Sequence, residues 1–352
     1  MCIVLWSTSQ SSNFRLIVAS NRDESLDRPS LRSQWHRFDR NDGSPRQILS
    51  GRDLIGRGTW LAIQRDTGRF GFITNVTAVE DGVKPGEEEV GGDVEGSNVD
   101  KVSRGRLIRD YLMGDKGPDE FIKALRSMDR IPTMDGFNLL LGKIHPETEV
   151  PIELSFYSNR QSTHQSLREF EDDDAQKLLD FKFYGFSNSP GYTTSETSCP
   201  SKVLNGIRLL KNCLRNSEED HDEETVVSEL LKILSQTEDS STELSDNIFI
   251  KPFNRLRTDT SGTNNQSLSY SDSAQRPDKS SLYGTRTQTL ILVSDSNTVT
   301  FVERNLYTQT DFDEKMSAVG CTTKFGAHRD LTLEELWGCK DDITSFTFDL
   351  FS

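Results

Sequence analysis

Cys2-Ile3-Val4-Leu5-Trp6-Ser7-Thr8 and Phe14-Arg15-Leu16-Ile17-Val18-Ala19-Ser20 are two apolar stretches, and the second runs directly into Asn21-Arg22-Asp23-Glu24. Short runs rich in β-branched and aromatic side chains, bounded by turn residues, read as strands. The pair therefore predicts an amino-terminal hairpin that brings the end of the second strand beside Cys2. Four polar or charged residues at that place can hydrogen-bond an ammonium, orient a thiol or polarise a carbonyl. An ordinary polar turn with an Asn–Asp cap is the alternative, and spacing alone does not separate the two.

Working outward, residues 59–65, 69–75, 137–143, 151–158, 182–187, 287–294, 298–304 and 344–350 also read as strands. Helical spacing joins Leu107, Ile108, Tyr111 and Leu112 behind an N-cap at Ser103, then Phe121, Ile122, Leu125 and Met128. It recurs in Val203, Ile207, Leu210 and Leu214, and in Val226, Val227, Leu230, Leu231 and Leu234. Strands fall in blocks toward both ends, with helices grouped between them. That order predicts antiparallel sheets covered by helices, an α+β chain with no βαβ repeat. No internal repeat or two-domain boundary interrupts residues 1–352.

The chain carries 41 Lys+Arg against 56 Asp+Glu, a formal charge of −15. Nucleic-acid binding by phosphate neutralisation needs a basic footprint, and the charge argues equally against a polybasic membrane surface. No apolar run approaches the ~20 residues of a bilayer span, so no transmembrane segment is expected. Residues 81–100, 171–174, 218–224 and 238–246 hold 21 of the acidic residues and one of the basic ones, so the remainder carries 40 basic against 35 acidic. Together with a Ser/Thr/Asn/Gln-rich stretch they predict flexible insertions at about 81–100, 160–175, 215–224, 236–246 and 257–281 in one domain. Cys2, Cys199, Cys213, Cys321 and Cys339 are scattered and form no C-x-x-C pair, which excludes a disulfide framework and the usual zinc spacings. The amino terminus has no basic n-region, so reduced thiols in a cytoplasmic protein are expected.

Cys2 is the most informative position. An initiator Met before a small residue is normally removed, leaving a free α-amine on a thiol-bearing residue. An amine of pKa ~7.7–8.0 is partly unprotonated near neutrality and acts as base toward its own side chain. The residue would then be nucleophile and base in one. Against this stands the plain reading that Cys beginning a buried strand packs well. Elsewhere, Gly136 and Gly284 suit positive φ at strand starts, Trp6 and Trp60 read as core aromatics, and Glu303 with Arg304 as a cross-strand ion pair.

Met1-Cys2 followed by Asn21-Arg22-Asp23-Glu24 resembles the NRDE family, whose eukaryotic members are the transport and Golgi organisation protein 2 homologues. Further matches follow in the family's order: Gly58-Thr59-Trp60-Leu61, Thr74-Asn75, Gly136-Phe137-Asn138-Leu139, Tyr184-Gly185-Phe186-Ser187-Asn188 and Asn247-Ile248-Phe249-Ile250. Tyr283-Gly284-Thr285-Arg286-Thr287 and Phe301-Val302-Glu303-Arg304 complete the set. The extra length lies in the low-complexity insertions, as in a fungal-type member. The resemblance implies the αββα four-layer sandwich of N-terminal-nucleophile hydrolases. Cysteine amidases of that superfamily look similar at several points, which implies Cys2 as nucleophile, Asp23 fixing its amine, Asn75 and Asn188 stabilising an oxyanion, and Arg286 as a late arginine of the site. Asn21, Arg22 and Glu24 would bind ligand or shape the site. The amidases carry Arg just before the Asn of that turn, where this chain has Ser20, with Arg22 between Asn21 and Asp23.

The resemblance also implies a cytoplasmic homeostasis protein associated with the Golgi or mitochondria. Its role would be in Golgi organisation, protein secretion and intracellular haem or lipid handling. A small hydrophobic or haem-like ligand and secretory-pathway proteins are the implied partners, with haem as cargo and no required cofactor or metal. Haem ligands would come from Cys2, Cys199 (in a Cys-Pro pair), His36, His145, His164, His221 or His328; the histidines fall mostly in polar loops. A Cys2-dependent amide hydrolase is the first alternative, and a trafficking scaffold recruiting partners through acidic insertions the second.

Overall fold

A computed structural model describes residues 2–8, 13–26, 28–39, 45–76, 103–128, 131, 134–146, 152–160, 164–166, 182–191, 200–215, 222–237, 246–256, 280–307 and 342–352. Numbered in chain order, β10 (Lys182–Phe186), β1 (Ile3–Thr8), β2 (Phe14–Ser25), β12 (Ser280–Ser294), β13 (Thr298–Asn305) and β14 (Ile343–Asp349) lie side by side in an antiparallel sheet, and β11 (Phe253–Leu256) pairs with β12. The second sheet is an antiparallel meander. It runs through β3 (Ser30–Asp39), β4 (Pro45–Asp53), β5 (Leu61–Gln64), β6 (Arg69–Asn75), β7 (Phe137–Ile144), β8 (Ile152–Ser158) and β9 (His164–Ser166).

Side chains alternate across a strand, and here both faces are apolar, so each sheet is buried twice. Val4, Trp6, Leu16, Val18 and Phe301 of the first sheet meet Leu49, Ile63, Phe70, Phe72 and Phe156 of the second. The intervening Ile3, Leu5, Ile17, Ala19 and Leu292 face α3 (Ser201–Arg215) and α4 (Glu223–Leu234) through Val203, Leu210, Leu230 and Leu234. Leu139, Leu141 and Ala62 turn outward to α1 (Arg106–Met113) and α2 (Pro118–Arg126), meeting Leu107, Ile108, Tyr111 and Ile122. The order is helix, sheet, sheet, helix. Each such fully buried aliphatic or aromatic side chain stabilises by about 1.5–3 kcal/mol. Among the described residues no helix is long and apolar enough to cross a membrane.

The two sheets are also pinned by polar contacts. Glu303, completely buried on β13, accepts from Ser33 N at 2.8 Å, from Ser33 Oγ and from Asn305 Nδ2 at 2.9 Å. In place of the expected cross-strand ion pair of Glu303 with Arg304, the carboxylate ties β13 to β3.

Several expectations are corrected. The strand at 14–20 does not stop before the polar tetrad: β2 continues through Ser25 because Asn21, Arg22 and Asp23 find partners and are all buried. β3, β4, β9 and β11 go unread in the sequence; β3 is an edge strand with mostly exposed side chains and no clean alternation. α1 begins after Gly105, and Ser103 contributes its carbonyl to Arg106 N at 3.0 Å instead of a side-chain cap. Residues 223–224, read as insertion, form the first turn of α4, capped by Asp222 Oδ1 accepting from Thr225 N at 2.8 Å. The insertion at 81–100, and most of 160–175, 215–224, 236–246 and 257–281, lie outside the described residues; β9 falls within 160–175, where composition predicts an insertion. Neither Gly136 nor Gly284 has positive φ. Gly136 is required by close approach, since a Cβ there would sit 2.5 Å from Val76 O.

Candidate functional site

The hairpin register sets Ile3 opposite Asn21, which carries Cys2 to the backbone of Asp23. Asp23 N donates to Cys2 Sγ at 3.4 Å, and Sγ lies 3.7 Å from Asp23 O. Ser187, just after β10, donates from Oγ to the Cys2 carbonyl at 2.7 Å. Burial pushes the Cys2 thiol above its ordinary value and the Asp23 charge adds to this, while the positive chain terminus and Arg22 pull the other way. The thiol therefore needs a neighbouring base to become a nucleophile.

Beneath it, Asp23 Oδ1 accepts from Thr285 Oγ1 at 2.7 Å, and the Asp23 carbonyl accepts from Tyr283 Oη at 3.1 Å. Thr285 Oγ1 in turn accepts from Ile250 N at 2.8 Å. This chain of buried hydrogen bonds links the site to β12 and to the segment leading into β11.

Strand alternation divides the tetrad. Arg22 and Glu24 face the second sheet, whereas Asn21 and Asp23 face the helices. The guanidinium of Arg22 lies over Trp60, 4.2 Å from the ring centroid, so Trp60 is an arginine platform as well as a core aromatic. Arg22 Nη2 donates to Asp53 Oδ2 at 3.1 Å, and Arg28 grips the same carboxylate through Nε and Nη2 at 2.5 and 3.0 Å. Gly56 N completes the cradle at 2.6 Å. Burial alone would raise the pKa of Asp53, but the Arg28 and Gly56 hydrogen bonds and the charges of Arg28 and Arg22 outweigh it and hold the group below the ordinary carboxylate range.

Above Cys2 opens a cavity of about 210 Å³, walled by these ion pairs, Trp60, Asn75 and Arg104. Its far wall exists because Gly58 and Gly105 cross backbone to backbone; a Cβ on Gly58 would lie 2.5 Å from Gly105 C. Burial lowers the pKa of Arg104, while Asp135 and Glu24 oppose that shift, and its Nη1 donates to Gly136 O at 2.6 Å.

Of the residues expected at the site, Cys2, Arg22, Asp23, Glu24 and Asn75 line this cavity together. Asn188 stands behind it, donating from Nδ2 to the Asn75 carbonyl at 2.5 Å, and so holds Asn75 in position. Asn21 points away, donating to Leu234 O and Ile248 O at 2.8 and 2.9 Å. Arg286 occupies a bulge in β12 between Thr285 and Thr287, and its Nη1 donates to the carbonyls of Ser25 and Arg28, closing off the end of β2. None of the described histidine side chains lines the cavity; Cys199, His221 and His328 lie outside the described residues. Sequence reasoning missed Arg28, Asp53, Arg104 and the buried Lys202. Only Asp53 carries a local signal, an Asp ahead of Gly56 and Gly58 that favours an Asx turn.

Fold and site thus define an α+β protein whose described residues form two seven-stranded antiparallel sheets, with a charged cavity over Cys2. The sequence matches the family described as Transport and Golgi organisation 2 across residues 1–308, and the chain belongs to that family. It is similar to the mouse Transport and Golgi organization 2 homolog, 26% identical over 318 residues that cover 87% of this chain and 93% of the mouse protein. An uncharacterised Saccharomyces cerevisiae protein is 27% identical over 345 residues, covering 90% of this chain and 96% of its own length. Drosophila melanogaster Transport and Golgi organization protein 2 is 25% identical over 323 residues, 87% of this chain and 92% of the fly protein.

Proposed function

We propose that this chain is a cytoplasmic homeostasis protein serving Golgi organisation and protein secretion, and that it does so by handling a small ligand at the Cys2 cavity. The names of its relatives support the cellular role. The observation that carries the ligand reading is Cys2 Sγ at the base of an open cavity faced by Arg22, Arg28 and Arg104. At about 210 Å³ the cavity is smaller than the ~300–1,000 Å³ of ordinary ligand clefts. It suits a small polar molecule, or the anionic end of a lipid derivative, better than an enclosed haem. Purifying the full chain under mild conditions and identifying what travels with it by mass spectrometry tests this. A co-purified anionic ligand lost in Arg22→Ala supports the reading, whereas a Soret shift on adding haem that persists in Cys2→Ala and Arg22→Ala would place haem elsewhere.

A second reading is favoured by the meeting of Cys2, Asp23 and Asn75 within a helix–sheet–sheet–helix layering like that of N-terminal-nucleophile hydrolases. With Met1 removed, the α-amine of Cys2 would take the thiol proton and the sulfur would attack an amide carbonyl. The Asn75 side-chain amide would donate to the oxyanion, and the amine would return its proton to the leaving nitrogen. Water would then release the acyl group from the thioester. Labelling of Cys2 by an electrophilic amide probe, abolished in Asp23→Ala, is expected; retention of Met1 on the mature chain removes this reading.

A further inference from the structure

Lys202 is completely excluded from solvent. Lysine is almost never fully buried unless paired, because desolvating an ammonium costs several kcal/mol even after relaxation. It sits in the first turn of α3, a helix held tightly on β10 and β1: a Cβ on Gly185 would lie 2.8 Å from Val203 Cγ1, and one on Gly206 would lie 2.7 Å from Leu5 Cδ1. Both contacts fall at Leu5 and its partner Gly185, and the segment bonded to the helix start through Asp246 runs on to Asn21 through Ile248 O and to Asp23 through Ile250 N and Thr285. The neighbouring Ser201 Oγ bonds Asp246 Oδ1, bringing a second carboxylate to the helix start.

We propose that Lys202 is a positioning residue of the Cys2 centre, a buried cation that holds the Asp23 carboxylate in place and favours formation of the Cys2 thiolate. The charged groups that face Lys202 are Asp23 on β2, Cys2 ahead of β1, and Asp246 ahead of β11. Cys2 is faced by Asp23, Arg22 and the chain terminus, and its charge is felt by Arg104 on the opposite side of the cavity. Burial pulls the Lys202 pKa below the ordinary lysine value, and Asp23, Cys2 and Asp246 offset part of that shift. A cation there lowers the free energy of a thiolate and raises that of a proton on the sulfur.

This inference rests on the reading of Cys2 as the working group, but its test needs no substrate. Alkylation of Cys2 by iodoacetamide is followed in the full-length chain by peptide mass, from about pH 6 to about pH 11, reaching well past the ~8.5 of a free thiol because burial raises Cys2. Lys202→Met is expected to move the rate profile up by about one pH unit, making alkylation about tenfold slower near neutrality, with rates converging at the alkaline end. A general packing defect would not produce that convergence. Lys202→Arg keeps the charge and is expected to leave the profile in place, which supplies a second arm if the Met variant does not fold. A Met profile that superimposes on the parent's, or an Arg profile shifted like that expected for Met, overturns the role of Lys202 while leaving Cys2 reactive. A parent chain whose Cys2 resists alkylation at every pH overturns both readings.

Discussion

Replacing Thr285 by Val keeps the side-chain shape and removes one oxygen. That oxygen donates to Asp23 Oδ1 at 2.7 Å and accepts from Ile250 N at 2.8 Å, and Thr285 is completely buried. Losing a buried hydrogen bond to a charged acceptor costs about 1.5–3 kcal/mol, and leaving the Ile250 N–H without its acceptor adds about 1–3 kcal/mol. The expected destabilisation is about 4 kcal/mol, a large share of the ~5–15 kcal/mol that holds a typical native protein together. Urea unfolding reads it as a lower midpoint at unchanged slope. Thr285→Ser, which retains the oxygen, should recover most of the loss. In an Asp23→Asn background the Val substitution should cost less, with a coupling of about 0.5–3 kcal/mol. A Thr285→Val chain within about 0.5 kcal/mol of the parent, the range of uninvolved surface sites, would refute the claim that this oxygen anchors Asp23.

Glu303→Ala removes the acceptor for two buried Ser33 donors and for the half-buried Asn305 amide, and should cost about 3 kcal/mol in the same assay; Glu303→Gln, which keeps one acceptor, should cost less. Asp53 is depressed in the folded chain, so its contribution to stability is present above its unfolded value of ~3.9 and is lost as pH falls through the folded one. Asp53→Asn should therefore lower the urea midpoint at neutral pH, with the gap to the parent closing below about pH 4.

Much of the architecture was legible because it rests on apolar runs. The hairpin of β1 and β2, the adjacency of Cys2 and Asp23, and helices α1 to α4 among the described residues follow from periodicity that tertiary packing reinforces. The polar end of β2 was misjudged because Asn-Arg-Asp-Glu has turn composition. It remains a strand because each side chain finds a partner on one face or the other: Arg22 on Asp53 and Trp60, Asn21 on the carbonyls of Leu234 and Ile248. β3 carries its information in pairing with β4 and in the Ser33–Glu303 contact, neither of which leaves an alternating pattern. At the site, the tetrad marked the place but not its completion. Arg28, Asp53, Arg104 and Lys202 come from four other segments; apart from the Asx-turn signal at Asp53, each reads alone as an ordinary surface charge. Arg286 shows the converse: a motif residue whose bulged position turns it to backbone carbonyls at the end of β2.

The central claim is that the Cys2 cavity is where this member of the Transport and Golgi organisation 2 family does its work. The direct measurement is protein secretion and Golgi morphology in cells that lack the endogenous chain and express either the parent or Cys2→Ala at matched levels. The account predicts that the parent restores both and that Cys2→Ala, folded and equally abundant, restores neither. Full restoration by Cys2→Ala would contradict it.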